Sequence, residues 1–472
     1  MTTPTSFSQP PQHQDHLSQE LKNDTPARGR FARLPLLAGK SFIPLGLFAR
    51  LPLAMLTVGA LTLVTSVSDS YAIGGTAAGA VGIGSALGAP VLGGLADRHG
   101  QRIVLLAASL INCAAVLALI LAAYLAPGSG ALDQGMPVLV AAFLAGASCP
   151  QVGPLARVRW MALTARGSTV NNAKDLDTAL SYESTADELT FVLGPALVGV
   201  LASLVVPWLP LALAAALTIT LVPAFAVHPT HLAVPRRIKP VLKKAAADEP
   251  AGDEPAADKP GNDEPRRDQK PGKKSATRFR VAASVALPVA AMVCMGTFFG
   301  STQTALSSFA AGFATSEIAG LLYAVMGLSS AAAALSVAYW SRRISLVMRW
   351  LVSAGLMTGF ALLLLVPSTA LPMILVLLIL GLPVGPLMVS VFSIGGLVAP
   401  AGKLGTVMTA LASGIVAGTA LGSSIAGHLA QDHGYSTAFL VPVCAAAVLF
   451  LLGTAAAVVL RAVQKRRAGT AA

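Results

Sequence analysis

Long apolar runs, separated by short polar segments, occupy most of the chain. Each run of about 20 residues is long enough to cross a hydrocarbon core of ~30 Å as a helix. The pattern predicts an all-α integral membrane protein with 12 transmembrane helices, six on each side of a long polar insert. The predicted spans are residues 44–67, 71–94, 103–125, 137–159, 186–206, 208–227, 281–304, 318–340, 346–366, 371–392, 405–427 and 437–460.

The polar segments divide the chain into five parts. Residues 1–41 are rich in Pro, Gln, Ser, Thr and His and are predicted to be a disordered N-terminal tail; no signal peptide is expected there. Two six-helix bundles follow, over 42–227 and 281–460, and residues 461–472 form a C-terminal tail. The insert at 228–280 alternates acidic and basic blocks, which favours a disordered linker, with a charge-rich docking segment as the alternative.

Composition supports a protein that lies mainly in lipid. Hydrophobic residues make up 54% of the chain and charged residues only 11%. The net charge of +12 does not indicate nucleic-acid binding, because the basic residues lie at the ends of the apolar runs. All 33 Lys and Arg can be assigned to one side, with Arg157 and Arg159 placed in loop 4/5. The positive-inside rule then places both termini and the insert in the cytoplasm of a cell-membrane protein.

Loop 2/3 is the most informative polar segment, with the sequence Gly93-Gly-Leu-Ala-Asp-Arg-His-Gly-Gln-Arg102. Gly93 and Gly100 permit a tight reversal and a close helix approach. Asp97 can cap a neighbouring helix N-terminus and pair with Arg98 or Arg102. Such contacts can break and re-form, whereas the simpler interpretation is a basic turn that only fixes topology.

This decapeptide resembles motif A of the major facilitator superfamily and lies between helices 2 and 3, as in that family. The resemblance implies two six-helix bundles around a central cavity and alternating-access transport. It also implies a cytoplasmic gate formed by Asp97 and Arg98, with Asp97 facing the N-terminus of helix 11. Gln101 stands where the family usually has a basic residue.

Span 5 begins with carboxylates, and intramembrane acids are functional candidates. Glu183 and Asp187 are four residues apart and therefore share a helix face, while Glu188 lies about 100° round from Asp187. We expect Asp187 or Glu188 to bind a proton or a cationic substrate. The alternative is that all three acids lie at the cytoplasmic boundary, at the helix N-terminus.

Gly194-Pro195 resembles a shortened antiporter motif C, in which Gly and Pro bend helix 5, and this resemblance favours efflux. A kink that serves only packing is the alternative. Proton-coupled drug exporters of the family carry an Arg deep in helix 4. Arg157 and Arg159 lie at the predicted end of span 4 and are counted with loop 4/5, so no such mid-helix Arg is expected here.

Polar residues within the spans are few, and Asn112, Gln303 and Thr304 are the cavity candidates. This inventory favours a small organic solute that is neutral, cationic or amphipathic. Proton-coupled efflux by a monomer is the preferred function, and an importer or facilitator is the alternative. No nucleotide motif, metal-ligand cluster or enzyme motif is found, so no cofactor is expected; a membrane-embedded enzyme or transport-inactive sensor is disfavoured.

Overall fold

The computed structural model describes residues 29–68, 71–125, 132–165, 169–234, 271–311, 316–341 and 343–469. Within this part of the chain, 12 helices are long and apolar enough to cross a membrane, which confirms the predicted fold class. In chain order, spans 1 to 12 are Phe42–Ser68, Ile73–His99, Gln101–Leu125, Gly135–Ala165, Ala173–Leu204, Leu209–Val227, Ser284–Ala310, Gly320–Tyr339, Leu346–Leu365, Ala370–Val398, Leu404–His433 and Tyr435–Val458.

Several spans are extended or interrupted in their secondary structure. Span 1 is divided near Arg50, and span 4 is divided at Cys149-Pro150, where proline cannot donate a backbone hydrogen bond. The α-helices are Leu34–Ala38, Phe42–Phe48, Leu51–Ser68, Tyr71–His99, Gln101–Leu125, Leu132–Ala147, Val152–Ala165, Thr169–Leu204, Leu209–Val227, Pro271–Ala311, Ser316–Ser336, Leu346–Leu362, Ala370–Val398, Leu404–His433, Tyr435–Ala438 and Leu440–Gly469. The 3-10 helices are Arg30–Arg33, Pro229–Ala233, Val337–Tyr339 and Leu363–Leu365.

Small residues bring helices into backbone contact. A methyl group built on Gly418 of span 11 would collide with the backbone of Val293 in span 7, and one on Gly422 would collide with Thr297. Close approach of this kind replaces the hydrophobic driving force that helices lack in lipid. The glycine spacing in the sequence therefore serves packing within the second bundle.

The two bundles pack against each other on the face that carries loop 2/3. Leu180 of span 5, Ala334 and Val337 near the end of span 8, and Val389 of span 10 form one buried cluster across the interface. Thr185 also donates to the Ala331 carbonyl, at 3.1 Å. This face, called the closed face below, is sealed by packed side chains.

The prediction of disorder is wrong for the residues of these segments that lie next to the bundles. Residues 30–41 of the predicted tail contain a 3-10 turn and the helix Leu34–Ala38, because Leu34 packs in the cluster that contains Trp160 and Phe225. The predicted linker begins with the 3-10 helix Pro229–Ala233, in which Thr230 is buried, and ends inside the helix that starts at Pro271. Residues 235–270 lie outside the described residues. The last helix continues into the predicted C-terminal tail, as far as Gly469.

Candidate functional site

Asp97 joins the two bundles at the N-terminus of span 11. Its carboxylate accepts hydrogen bonds from the backbone N–H of Gly405 at 2.9 Å and of Thr406 at 2.7 Å. The Thr406 hydroxyl donates a third, at 2.7 Å. The first N–H groups of a helix lack intrahelical partners and carry a partial positive charge, so a carboxylate is stabilised there. This contact, called the latch below, is where the family resemblance placed Asp97.

Two glycines shape the latch. A methyl group on Gly93 would collide with the Thr409 hydroxyl and lie 2.7 Å from the Gly405 carbonyl oxygen, so only glycine fits against span 11. Gly100 has a φ of 91°, a left-handed conformation that favours glycine at this reversal. Arg98 is exposed, and the predicted pairing of Asp97 with Arg98 or Arg102 is not among the ion pairs of the described residues.

A second cluster, called the ion network below, lies buried inside the first bundle. Arg50 of span 1 pairs with Glu183 and with Asp187, at 2.7 Å each. Arg157 of span 4 pairs with the other oxygen of Asp187, also at 2.7 Å, and Trp160 Nε1 donates to Glu183 at 2.8 Å. Two arginines and two carboxylates thus balance each other, which offsets the cost of burying each charge.

The helix containing span 5 begins at Thr169, 14 residues before Glu183, or about 21 Å of helix. The interpretation that Glu183, Asp187 and Glu188 lie at the helix N-terminus is therefore wrong. The sequence pattern did not indicate Arg50 and Trp160 as partners of these acids, because they lie far away along the chain or in another span.

Glu188 is placed differently from the other two acids. It is 6% exposed, and its Oε1 accepts a hydrogen bond from the Ser330 hydroxyl of span 8, at 3.0 Å. None of the four ion pairs among the described residues includes Glu188. It is therefore a buried acid that contacts the opposite bundle through a neutral group.

The family model described as Major Facilitator Superfamily matches residues 42–414, which is most of both bundles and the whole latch. The chain belongs to the major facilitator superfamily. It is a multi-pass membrane protein with the fold of solute transporters. Among curated proteins, no relative was found.

Solved structures share this fold at low sequence identity. The human organic anion transporter MFSD10 (TETRAN) is 19% identical, with a TM-score of 0.61 over 88% of this chain and 98% of that one. FucP in the outward conformation is 14% identical, with a TM-score of 0.57 over 88% and 99%. A bacterial homologue of ferroportin in an outward-facing state is 13% identical, with a TM-score of 0.56 over the same shares.

The expectation that helix 4 of this superfamily member carries no mid-helix arginine is wrong. Arg157 lies inside span 4, eight residues before its end at Ala165, and is 1% exposed. Besides pairing with Asp187, it places its guanidinium carbon 3.9 Å from the ring centroid of Phe392 in span 10 of the other bundle. Arg157 is therefore a direct connection between the ion network and the second bundle.

Arg159 is also buried rather than placed in loop 4/5. Its Nε donates to Gln101 Oε1 at 2.9 Å, and its Nη1 donates to the Phe225 carbonyl at 2.7 Å. Its guanidinium carbon lies 4.0 Å from the centroid of the Phe225 ring. The departure of Gln101 from the family motif thus has a physical reason: a neutral acceptor binds Arg159, where a cation would repel it.

The cavity candidates are not brought together with the ion network. Asn112 is buried and donates to the Ala145 carbonyl at 2.6 Å, so it ties span 3 to span 4. Gln303 is exposed and Thr304 is half-buried, both in span 7. Their contact with solute stays a prediction.

Gly194 and Pro195 lie inside one continuous helix of span 5. A methyl group on Gly194 would lie 2.6 Å from the Ala54 side chain of span 1, so this glycine permits close contact of two spans. The packing interpretation therefore has direct support.

A cavity of about 320 Å³ lies beside the latch on the closed face. Gln101, Arg102 and His231 line one part of it, and residues 399–402 line another. Burial lowers the pKa of His228 in the adjacent turn, and Arg159 and His231 lower it further. Among the described residues, no group of three or more His, Cys, Asp or Glu could hold a metal ion.

Proposed function

We propose that this protein is a proton-coupled exporter of a small organic solute that works by alternating access. Glu188 is the coupling acid, the ion network holds the inner part of the first bundle together, and the latch closes the cytoplasmic face. The solute is neutral, cationic or amphipathic, and the working unit is a monomer in the plasma membrane with both termini in the cytoplasm.

The observation that carries the coupling assignment is the contrast between Glu188 and its neighbours. Asp187 binds two arginines and Glu183 binds one, so their charges are balanced inside the protein. Glu188 is buried with Ser330 as its hydrogen-bond partner. A buried carboxylate without a cation carries a large desolvation cost, which proton uptake removes.

The position of Glu188 links this proton to the conformational cycle. The carboxylate belongs to the first bundle and Ser330 to the second, so their hydrogen bond must break when the closed face opens. Opening then lets water reach Glu188, and closing surrounds it with protein again. An acid whose surroundings alternate in this way can load a proton on one side of the membrane and release it on the other.

Direction rests on a separate feature. The partial resemblance of Gly194-Pro195 to motif C favours export, although the same cycle run in reverse would give an importer. A structure described as the E. coli fucose:proton symporter shares the fold at 15% identity, with a TM-score of 0.55. Symport and facilitated diffusion are therefore the alternatives that the experiment must separate from antiport.

The test uses purified protein in proteoliposomes. A thermal-shift screen identifies a solute, because a ligand that binds the folded state raises the melting temperature. Counterflow of that solute then measures exchange, and an imposed pH gradient measures coupling and its sign. Antiport is supported if the solute accumulates in the direction opposite to proton flow down the imposed gradient. Accumulation of the solute in the same direction as proton flow identifies symport. Binding without counterflow identifies a transport-inactive sensor.

Orientation is tested on a variant that lacks the four native cysteines, in which Ser341→Cys or Ser368→Cys is introduced singly. Both positions are exposed, the first between spans 8 and 9 and the second between spans 9 and 10. An impermeant maleimide added to intact cells should label Cys at position 368 and not at 341. The opposite labelling pattern would overturn the cytoplasmic placement of the closed face.

A further inference from the structure

A short segment before span 1 crosses from the first bundle to the second. The segment is the 3-10 turn Arg30–Arg33, called the strap below. It is joined through the helix Leu34–Ala38 to span 1 and is therefore a covalent part of the first bundle. Its position on the closed face is separate from the latch, which joins spans 2 and 11.

The strap contacts the second bundle at the end of span 8. Arg30 Nη1 donates a hydrogen bond to the Ala338 carbonyl oxygen, and its guanidinium carbon lies 5.2 Å from the centroid of the Tyr339 ring. The Phe31 ring lies 6.1 Å from the same ring, centroid to centroid. Two successive strap residues therefore hold one tyrosine, through a cation–π contact and an aromatic contact.

The other end of the strap is fixed to its own bundle. Arg33 pairs with Asp175 of span 5 through two contacts of 3.2 Å. The next residue, Leu34, is 1% exposed and packs in the cluster that contains Trp160. Because the strap is anchored on this side, its contacts with Tyr339 resist movement of span 8 away from span 5.

We propose that the strap is a conformational brake that stabilises the closed face. When that face opens, spans 5 and 8 separate, and Arg30 and Phe31 must release Tyr339. The strap therefore influences how often the face opens. It acts next to spans 5 and 8, whereas the latch acts between spans 2 and 11. The inference requires only that the face opens and closes, and it is independent of the coupling ion.

The test measures opening through alkylation of a buried cysteine. Val389 is 2% exposed and packs in the interface cluster with Leu180, so Cys at this position reacts only when the face opens. The reporter is Val389→Cys in full-length protein without native cysteines, reconstituted in proteoliposomes. When closing is faster than reaction, the alkylation rate is proportional to the open population.

Arg30→Ala and Phe31→Ala are each compared with Lys40→Ala, which removes a positive charge from an exposed position of the same pre-span segment. We expect Arg30→Ala to raise the alkylation rate about five- to sixtyfold, the range that one cation–π contact and one hydrogen bond support. Lys40→Ala should leave the rate within about twofold of the parent, the scatter allowed to an exposed substitution.

A double-mutant cycle with Tyr339→Ala separates the strap contact from a general loss of stability. The cation–π part of the Arg30 effect requires the Tyr339 ring, whereas the hydrogen bond to the Ala338 carbonyl remains, so Arg30→Ala has a smaller effect in the Tyr339→Ala background. The proposal would be overturned if the increase in alkylation rate in the double variant equalled the product of the increases in the two single variants. Such a result would show that the two substitutions destabilise the closed face independently. Unchanged rates in Arg30→Ala and Phe31→Ala would overturn it as well.

Discussion

Asp97→Asn tests the latch directly, because it removes one charge and preserves the size of the side chain. The Asp97 carboxylate accepts three hydrogen bonds from Gly405 and Thr406. Asparagine keeps one acceptor oxygen and replaces the other by an NH₂ group, which cannot accept. The variant therefore loses at least one hydrogen bond and the interaction of the negative charge with the helix N-terminus.

A hydrogen bond to a charged group contributes about 1.5–3 kcal/mol, and a charge at a helix end about 0.3–1 kcal/mol. We expect a net loss of about 2 kcal/mol from the closed face, which corresponds to roughly a 30-fold change in the ratio of closed to open molecules. Turnover should fall, because this face no longer closes efficiently, while equilibrium binding of solute changes much less.

The assay places spin labels on cysteines that replace His99 and Arg343, both exposed on the closed face and in different bundles. Pulsed electron resonance measures the distance between them in reconstituted protein. Asp97→Asn should add a population at longer distance. Arg98→Gln, an exposed neighbour that also loses one charge, should change the distribution much less. Identical distributions for the parent and Asp97→Asn would refute the latch argument.

Two further substitutions test how charge balance and close packing hold the structure. Asp187→Asn leaves Arg157 buried with its charge unbalanced, so we expect a loss of about 3–5 kcal/mol, measured as a large fall in melting temperature. Gly93→Ala should weaken the closed face because its methyl group collides with Thr409, whereas Gly94→Ala, whose methyl group would lie 3.6 Å from the nearest atom, should not. Equal spin-label distributions for the two glycine variants would contradict the packing argument.

The number and order of the spans could be predicted from the sequence. The bilayer core contains no water to solvate polar groups, so each span must be an apolar run long enough to cross it. The features of loop 2/3 could also be predicted from its own residues. Gly100 requires a left-handed φ, and Asp97 is a residue type that caps helices. These features depend on a few adjacent residues, so a single sequence contains them.

The ion network could not be predicted in the same way. Arg157 and Arg159 lie at the end of predicted span 4 and were counted with loop 4/5. Their partners, Asp187 and Gln101, lie 30 and 58 residues away along the chain. A charge inside a span becomes acceptable only when an opposite charge is placed beside it by folding. The three acids of span 5 were the one local signal that buried cations would be needed.

The ordered part of the predicted tail has a similar cause. Arg30 and Arg33 lie in a basic, proline-containing stretch that is typical of disorder. Their order comes from Tyr339 and Asp175, which lie 309 and 142 residues away along the chain. Composition describes the segment alone, whereas its structure depends on the two bundles that it joins.

The most direct test of the account compares Glu188→Gln with Ser330→Ala in proteoliposomes. Glutamine keeps a hydrogen-bonding side chain at this site but cannot bind and release a proton, whereas Ser330→Ala keeps the acid. We expect Glu188→Gln to lose transport driven by a pH gradient and to retain solute exchange at equal pH, because exchange needs no net proton movement. Ser330→Ala should retain both activities. Full gradient-driven transport by Glu188→Gln would contradict the coupling assignment and favour a proton-independent facilitator.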